Sequence, residues 1–486
     1  MHNMNLDFLF HPRSIAIAGA SATENKFNAG LKFLEGLLAF GYRGKIYPIS
    51  PGGGEVMGLK IYKNIKDIPG QVDYIISAIP AQYTPQLVAD ASCKGVKAIH
   101  FFTSGFSEIE SQEGEKLQKE IIKLTRRSGI RIIGPNCLGI YCPAGGMTFN
   151  PDISKQSGPV GMISQSGGNA AHCIHEANSR GIYFSKVISM GNGADLNESD
   201  LLEYLIDDPD TKIITAYIEG VREGPRFLKA LKTAARVKPV IIFKVGNSEV
   251  GAEAAASHTT AMAGSSRIWE GLLKQVGAIQ VNSIEEMVDV TAALLHMPAP
   301  AGKNAAVIGI GGGASVIAAD EFIHAGLELP RLSLKVRQGL LGIQGSEAGR
   351  IFKNPVDVNN FEGPEKFLLT VKAIEACDNV DFLVIQVAYD HFGLISASDK
   401  EFLTSVYIYS IVQLKDKVDK PIAIILHSFS SHATRKLAEE SYNKLSEAGF
   451  TVFLSIPRAA VALSKYIDYC KWLKSHRTGT NKKAIK

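Results

Sequence analysis

No run of apolar residues in the sequence approaches the roughly 18 that a membrane-spanning helix needs, which excludes a span. The opening MHNMNLDFLFHPRS lacks a basic region followed by an apolar stretch, so no export signal is read there and the expected location is the cytoplasm. Cysteine is sparse and scattered: Cys93, Cys137, Cys142, Cys173, Cys377 and Cys470 include no CxxC pair, which argues against a zinc site or a disulfide framework. An excess of one charge is also missing. A net charge of +4 is too small for a nucleic-acid binder. Basic residues gather only near the C-terminus, where Lys471, Lys474, Arg477, Lys482, Lys483 and Lys486 read as a solvated tail, taken as 473–486.

What is present is a rhythm of short apolar runs, each followed by a turn signal and a helical stretch, as in buried parallel strands joined by βαβ connections. With 486 residues the chain should hold about three domains. In the first third the runs are Ser14 to Ala20, Lys45 to Ser50, Asp73 to Pro80, Ala98 to Ser104 and Ile130 to Pro135. A Pro- and Gly-rich passage, Cys142 to Pro159, precedes Val160 to Gln165, Phe184 to Met190, Lys212 to Glu219, Val240 to Val245 and Ala278 to Ser283. After the linker MPAPAG come Ala305 to Ile310, Phe382 to Ala388, Ile422 to His427 and Val452 to Ile456. The expected domains are therefore 1–145, 146–298 and 303–472. In parallel sheets, ligands bind at loops beyond strand C-termini.

The first such loop runs from Gly19 to Gly30 and opens a helix, so its backbone N–H groups suit a phosphate. It is not a GxGxxG, and the second strand ends in Ser50-Pro51-Gly52-Gly53-Gly54 without the carboxylate that NAD binders place there, which disfavours a dehydrogenase. The second loop, Ser164-Gln165-Ser166-Gly167-Gly168, sets two hydroxyls and several N–H groups at a helix start. An ordinary serine N-cap explains Ser166 as well. The third, Gly251 to Gly264, is mostly Gly and Ala around Glu253 and His258, and a plain Ala-rich helix is its simplest alternative. Ser265 and Ser266 are placed to cap the following helix, with Ile268, Leu272, Leu273 and Val276 on one face. A neutral imidazole can accept a phosphoryl group, and a carboxylate at its other nitrogen orients it; Glu219, ending its strand, is the candidate. His172, His175 and Glu176 lack a clear third metal ligand, so no metal site is expected. Gly309 to Ser315 reads as an anion-holding junction or a structural turn.

Taken in order, IAIAGAS (15–21), IGPNCLG (133–139), GPVGMISQSG (158–167), YIEG (217–220), ASHTTAMAG (256–264), GGGASVIAAD (311–320) and NPVDV (354–358) resemble the NDP-forming acyl-CoA synthetases. The domain order resembles the α subunit of ADP-forming acetyl-CoA synthetases and, more distantly, the succinyl-CoA synthetase α subunit. That resemblance implies an α/β chain with an N-terminal Rossmann-like CoA-binding domain followed by two flavodoxin-like domains. It implies CoA contacts from Gly19, Ala20, Ser21, Pro51, Gly53, Ile79, Pro80 and Ala81. Where the succinyl enzymes carry a lysine in the Pro-Gly turn, this chain has Gly53, and Lys26 is the expected replacement. His258 is implied as the phosphohistidine, Glu219 as its orienting carboxylate, and Ser164, Gln165, Ser166, Gly167 and Gly168 as the phosphate cradle. The usual Ser-His-Thr-Gly is Ser-His-Thr-Thr here, and Thr260 adopts φ > 0 less readily than glycine.

The implied reaction interconverts acyl-CoA, phosphate and ADP with acid, CoA and ATP through an acyl phosphate and a phosphohistidine. CoA is a substrate. No ATP-grasp segment is evident, so ADP/ATP and Mg are expected on a separate ATP-grasp β subunit in an α2β2-type hetero-oligomer. The alternative is a non-catalytic CoA-binding or regulatory paralogue of that family.

Overall fold

The computed structural model describes residues 5–21, 28–251, 253, 265–309, 311–346, 350–358, 363–388, 397–427 and 432–476; the side chains of 397–400, 432 and 433 are left aside. The apolar runs form strands in three larger sheets, and the chain divides into two units, Met1–Met287 with two of these and Val288–Lys486 with the third.

The first sheet contains β1 (Ser14–Ala18), β2 (Lys45–Ile49), β5 (Tyr74–Ser77), β6 (Ala98–Phe101) and β7 (Arg131–Ile133), all parallel, in the order β2-β1-β5-β6-β7. β3 (Gly54–Val56) and β4 (Leu59–Ile61) make a separate antiparallel hairpin that no apolar run announced. Alternate residues of β1 serve different cores: Ala16 and Ala18 face Ile75, Val88 and Ile99, while Ile15 and Ile17 belong to a cluster continuous with the second sheet through Ile163 and Ile214.

The second sheet runs β13-β12-β11-β9-β10-β8, with β8 (Gly139–Tyr141), β9 (Val160–Ser164), β10 (Phe184–Ser189), β11 (Ile213–Ile218), β12 (Val240–Lys244) and β13 (Ile279–Val281). β8 pairs antiparallel with β10, an edge strand where only parallel pairing was expected. Three residues are too few to give a periodic signal. The strand follows β7 directly, so the chain passes from the first sheet to the second over Gly134–Leu138.

That passage is bolted down. Arg131 forks onto Asp195 at 2.8 and 3.2 Å, and the Ile132 amide donates to the same carboxylate at 2.9 Å. The amides of Asn192 and Ala194 donate to the carbonyls of Pro135 and Gly134 at 3.0 and 2.9 Å.

In the second unit, β15 (Val356–Asp357), β14 (Ala305–Gly309), β16 (Phe382–Val387), β17 (Ile422–Leu426) and β18 (Thr451–Phe453) form a parallel sheet in that spatial order. Helix Ile456–His476 returns to the start of the unit, where Arg458 forks onto Asp289 at 2.6 and 3.1 Å and the Tyr466 hydroxyl donates to Met297 O at 2.6 Å. With strands counted within each sheet, all three share the order 2-1-3-4-5, leaving out the antiparallel β8. Its switch point lies between the first and third strands, where crossovers leave to opposite faces and a crevice opens.

Candidate active site

At the switch point of the first sheet, β1 ends in Gly19 at φ +101°, where a Cβ would lie 2.7 Å from Ala78 O. Helix α1 (Ala29–Phe40) begins immediately against this turn: a Cβ on Gly30 would lie 2.6 Å from the Gly19 carbonyl carbon. Asn28 caps the helix by accepting from Leu31 N at 3.0 Å, and its Nδ2 donates to Ser21 Oγ at 2.8 Å. Gly19, Ala20 and Ser21 thus form a close strand–helix junction. Lys26 lies outside the described residues.

Pro51 and Gly53 occupy the turn after β2, closed by Gly53 N donating to Ser50 O at 3.0 Å. The exposed Lys63 runs its stem against that turn, with Cε 3.3 Å from where a Gly53 Cβ would sit. This cation beside the glycine was missed because it arrives from the far side of the β3–β4 hairpin, ten residues along. Ile79 and Pro80 leave β5, and Ala81 starts a helical turn whose carbonyl accepts from Thr84 Oγ1 at 2.7 Å.

At the second switch point, Ser164 Oγ donates to Ser166 O at 2.6 Å and accepts from Ser166 N at 3.2 Å, while Ser166 Oγ accepts from Asn169 N at 3.3 Å as the N-cap of α4 (Gly167–Asn178). Gln165 is buried, its Oε1 accepting from the amides of Glu219 and Gly220 and its Nε2 donating to Gly220 O at 2.8 Å. Its own amide donates to Tyr217 O at 3.2 Å. Gln165 is therefore a strut between β9 and β11 that also lines the cleft described below. The groups left for an anion are the amides of Gly167 and Gly168 in the first turn of α4, which have no hydrogen-bond partner among the described residues.

Glu219 follows β11 and is buried. Burial, with the Glu219 charge nearby, pushes the Tyr217 phenol well above its ordinary value. Lys244, at the end of β12, is 1% exposed; its Nζ donates to Glu219 O at 2.8 Å and to Val245 O, and lies 5.4 Å from the centre of the Trp269 ring. Burial lowers its pKa from 10.5 to about 8, against the pull of the Glu219 charge. Sequence reasoning missed Lys244 because a lysine ending an apolar run looks like a surface residue.

The two switch points meet in a cleft of ≈ 510 Å³. It is lined by Ala78, Ile79 and Pro80 with Phe102 to Ser104, by Gln165 to Gly168, and by Asn136, Cys137 and Leu138. Ile79 and Pro80 are thus brought together with Gly167 and Gly168. Gly19 backs onto Ala78 just behind the cleft, and Pro51, Gly53 and Ala81 are not among the lining residues.

His258 and Thr260 lie outside the described residues. Helix α7 (Ser266–Val276) follows them, counting α2 (Thr84–Ala91), α3 (Gln112–Ser128), α5 (Glu198–Asp207) and α6 (Gly224–Val237) before it. Ser265 occupies its N-cap without a side-chain cap bond, and the buried face is Trp269, Leu273 and Val276, with Ile268 exposed, contrary to expectation. Trp269 takes the inward position because it packs on Phe227 with ring centres 5.6 Å apart. His172 and His175 are exposed on α4, and no group of three His, Cys, Asp or Glu among the described residues could hold a metal ion. At the Gly309 to Ser315 junction, Asp357 accepts from Gly311 N at 2.8 Å, so a carboxylate occupies one of its amides. No described helix is long and apolar enough to cross a membrane.

Two family models match the first unit: the CoA binding domain over residues 13–143, and the succinyl-CoA ligase like flavodoxin domain over 157–294. The α subunit of Acetate–CoA ligase [ADP-forming] I from Pyrococcus furiosus is 34% identical over 98% of this chain and 100% of its own length. Acetate–CoA ligase [ADP-forming] from Methanocaldococcus jannaschii is 39% identical over 74% of this chain and 50% of its own length. Among solved structures, a chain of the dinucleotide forming Acetyl-coenzyme A synthetase 1 from Ca. Korarchaeum cryptofilum, in complex with phosphate and ADP, superposes with a TM-score of 0.81 at 30% identity, covering 97% of this chain and 98% of that one.

Proposed function

The chain belongs to the ADP-forming acyl-CoA synthetases, among the relatives of their α subunits, and from that premise we propose that it interconverts acyl-CoA, phosphate and ADP with acid, CoA and ATP. The observation that carries this reading is the cleft itself, which brings the strand ends Ala78 to Pro80 and Phe102 to Ser104 of the CoA-binding sheet together with two unpaired amides at the start of α4.

CoA lies on the first sheet, its phosphates near Gly19, Ala20 and Ser21 and its pantetheine arm leading past Ile79 and Pro80 into the cleft. Orthophosphate sits at the amides of Gly167 and Gly168, where the helix dipole and free N–H groups favour an anion. Its attack on the thioester gives an acyl phosphate and CoA. The phosphoryl group then passes to a ring nitrogen of His258 as its bond to the acyl oxygen breaks and the acid leaves as carboxylate; the imidazole is oriented by Glu219, whose backbone is fixed by Gln165 and Lys244. ADP, ATP and Mg belong to an ATP-grasp β subunit in an α2β2-type assembly. The Pyrococcus relative, named an α subunit and matched over 100% of its length, supports a divided apparatus. Splitting the reaction through phosphohistidine lets one chain handle thioester and acid while the other handles nucleotide.

The test is reconstitution. Acetyl-CoA, phosphate and ADP should give ATP only when the purified chain is combined with a separately expressed ATP-grasp subunit. ATP formation by the single chain would contradict the division of labour, and no turnover with any of a panel of acyl-CoAs would favour the non-catalytic reading that Thr260 suggests.

A further inference from the structure

We propose that Asn136 is a catalytic residue whose carboxamide donates a hydrogen bond to the thioester carbonyl oxygen as it takes up charge, a role that rests on the function proposed above. Asn136 lines the cleft, in the segment that carries the chain from β7 to β8. Its backbone is left-handed at φ +57°. The other described non-glycine residues with positive φ, Met57 and Glu110, are exposed turn residues.

The Asn136 conformation is imposed from every side. Its amide donates to Thr103 O at 3.0 Å, and the carbonyls of Pro135 and Asn136 press so closely on Gly191 that a Cβ there would lie 2.3 Å from each. The neighbouring Leu138 amide donates to Ser189 Oγ at 3.1 Å. A residue held in a sparsely populated region by an over-determined frame is where a fold places a working side chain. Asparagine tolerates the left-handed region, so the backbone alone would be served as well by glycine.

The side chain supplies the second argument. Two side-chain amides line the cleft, those of Gln165 and Asn136. Both ends of the Gln165 amide are engaged by the backbone of Glu219 and Gly220. The Asn136 carboxamide has no hydrogen-bond partner among the described residues. It is the side-chain amide still able to serve a ligand.

The chemistry requires such a donor. When a phosphate oxygen attacks the thioester carbon, a C–O bond forms and the carbonyl electron pair moves onto oxygen. On collapse the C=O bond is restored and the C–S bond breaks. Sulfur leaves with the electron pair and takes the proton lost by the attacking hydrogen phosphate, giving acyl phosphate and CoA thiol. The α4 amides hold the phosphate, and the carbonyl oxygen needs a donor of its own.

The experiment compares Asn136→Ala, Asn136→Gly and Asn136→Asp in the full chain. Acid-labile label from acetyl-CoA and radioactive phosphate should form roughly 100-fold more slowly in all three, the usual cost of one lost oxyanion donor. CoA affinity should be unchanged, as should labelling of His258 from ATP through the partner subunit, which bypasses the thioester. Asn136→Gly guards against misfolding, because it suits the backbone and removes only the side chain. Wild-type rates in Asn136→Gly would overturn this role and leave the proposed function intact, whereas no label in the wild-type chain would overturn both.

Discussion

The first two switch points have the same strand order and meet in one cleft, yet they are made of different material. The first is bare: Gly19 and Gly30 strip side chains from the junction so that β1, β5 and α1 touch backbone to backbone. The second is crowded: hydrogen bonds link Gln165 to the backbone of Tyr217, Glu219 and Gly220, and Lys244 to that of Glu219. A bare junction admits the backbone of the protein close to a bulky ligand, whereas a crowded one fixes charge in a low-dielectric setting. The common topology supplies the crevice, and local side chains decide whether it binds or reacts.

The sharpest way to break the first region alone is Gly30→Ala. Its methyl would stand 2.6 to 2.7 Å from the backbone of Gly19 and Ala20, atoms that cannot rotate away. Forced repacking of about 1–3 kcal/mol should reduce CoA affinity by roughly 10- to 100-fold in titration calorimetry. Labelling of His258 from ATP with the partner present should survive, because that step uses only the second region. Equal loss of both would show that the two regions are not separable.

Glu219→Gln addresses the second region. It keeps the shape but removes the charge that would orient and balance the imidazole, so steady-state phosphohistidine should fall about tenfold with CoA affinity unchanged. Full labelling with normal turnover would make Glu219 structural.

The two regions should also part company in pH. On the first sheet His100 is buried against Cys137 O at 3.0 Å, and burial lowers its pKa from 6.5 to about 4. The folded state then binds fewer protons than the unfolded one between those values, so this contribution to stability is lost as pH falls from 6.5 through 4. Lys244 is depressed to about 8, so stability should rise as pH climbs from about 8 toward 10.5. Denaturation midpoints against pH should lose the alkaline rise in Lys244→Met while keeping the acid limb. An unchanged alkaline limb would show Lys244 to titrate normally.

The smallest effect is expected of Lys63→Ala. An exposed cation contributes up to about 1 kcal/mol, so CoA affinity should weaken by no more than about fivefold, and less at high salt. A salt-independent loss would mean that Lys63 acts through the shape of the turn.

Much of this was legible before any coordinates. The long strands could be read because both faces are buried, which turns each into an unbroken apolar run such as Ile213–Ile218. Four of the short ones could not: β3, β4 and β15 have two or three residues and no apolar run extending beyond them, and β8, with three, joins its sheet only through contacts with β10. At the site, sequence motifs located the loops but not the division of work within them. Nothing in Ser-Gln-Ser-Gly-Gly says that Gln165 turns inward to brace β11 while the glycine amides stay open. The string Ile133 to Gly139 marked a family, but only the backbone angle of Asn136 and its unpaired carboxamide marked a role. Lys244 and Lys63 were hidden because their partners come from other strands.

The central claim is that the first two domains form a complete acyl-side apparatus ending on His258. The most direct measurement incubates the purified full chain, without partner or nucleotide, with acetyl-CoA and radioactive phosphate. The account predicts acid-labile, base-stable label on the wild-type chain, none on His258→Ala, and equal CoA affinity in the two. Label that persists in His258→Ala would contradict it.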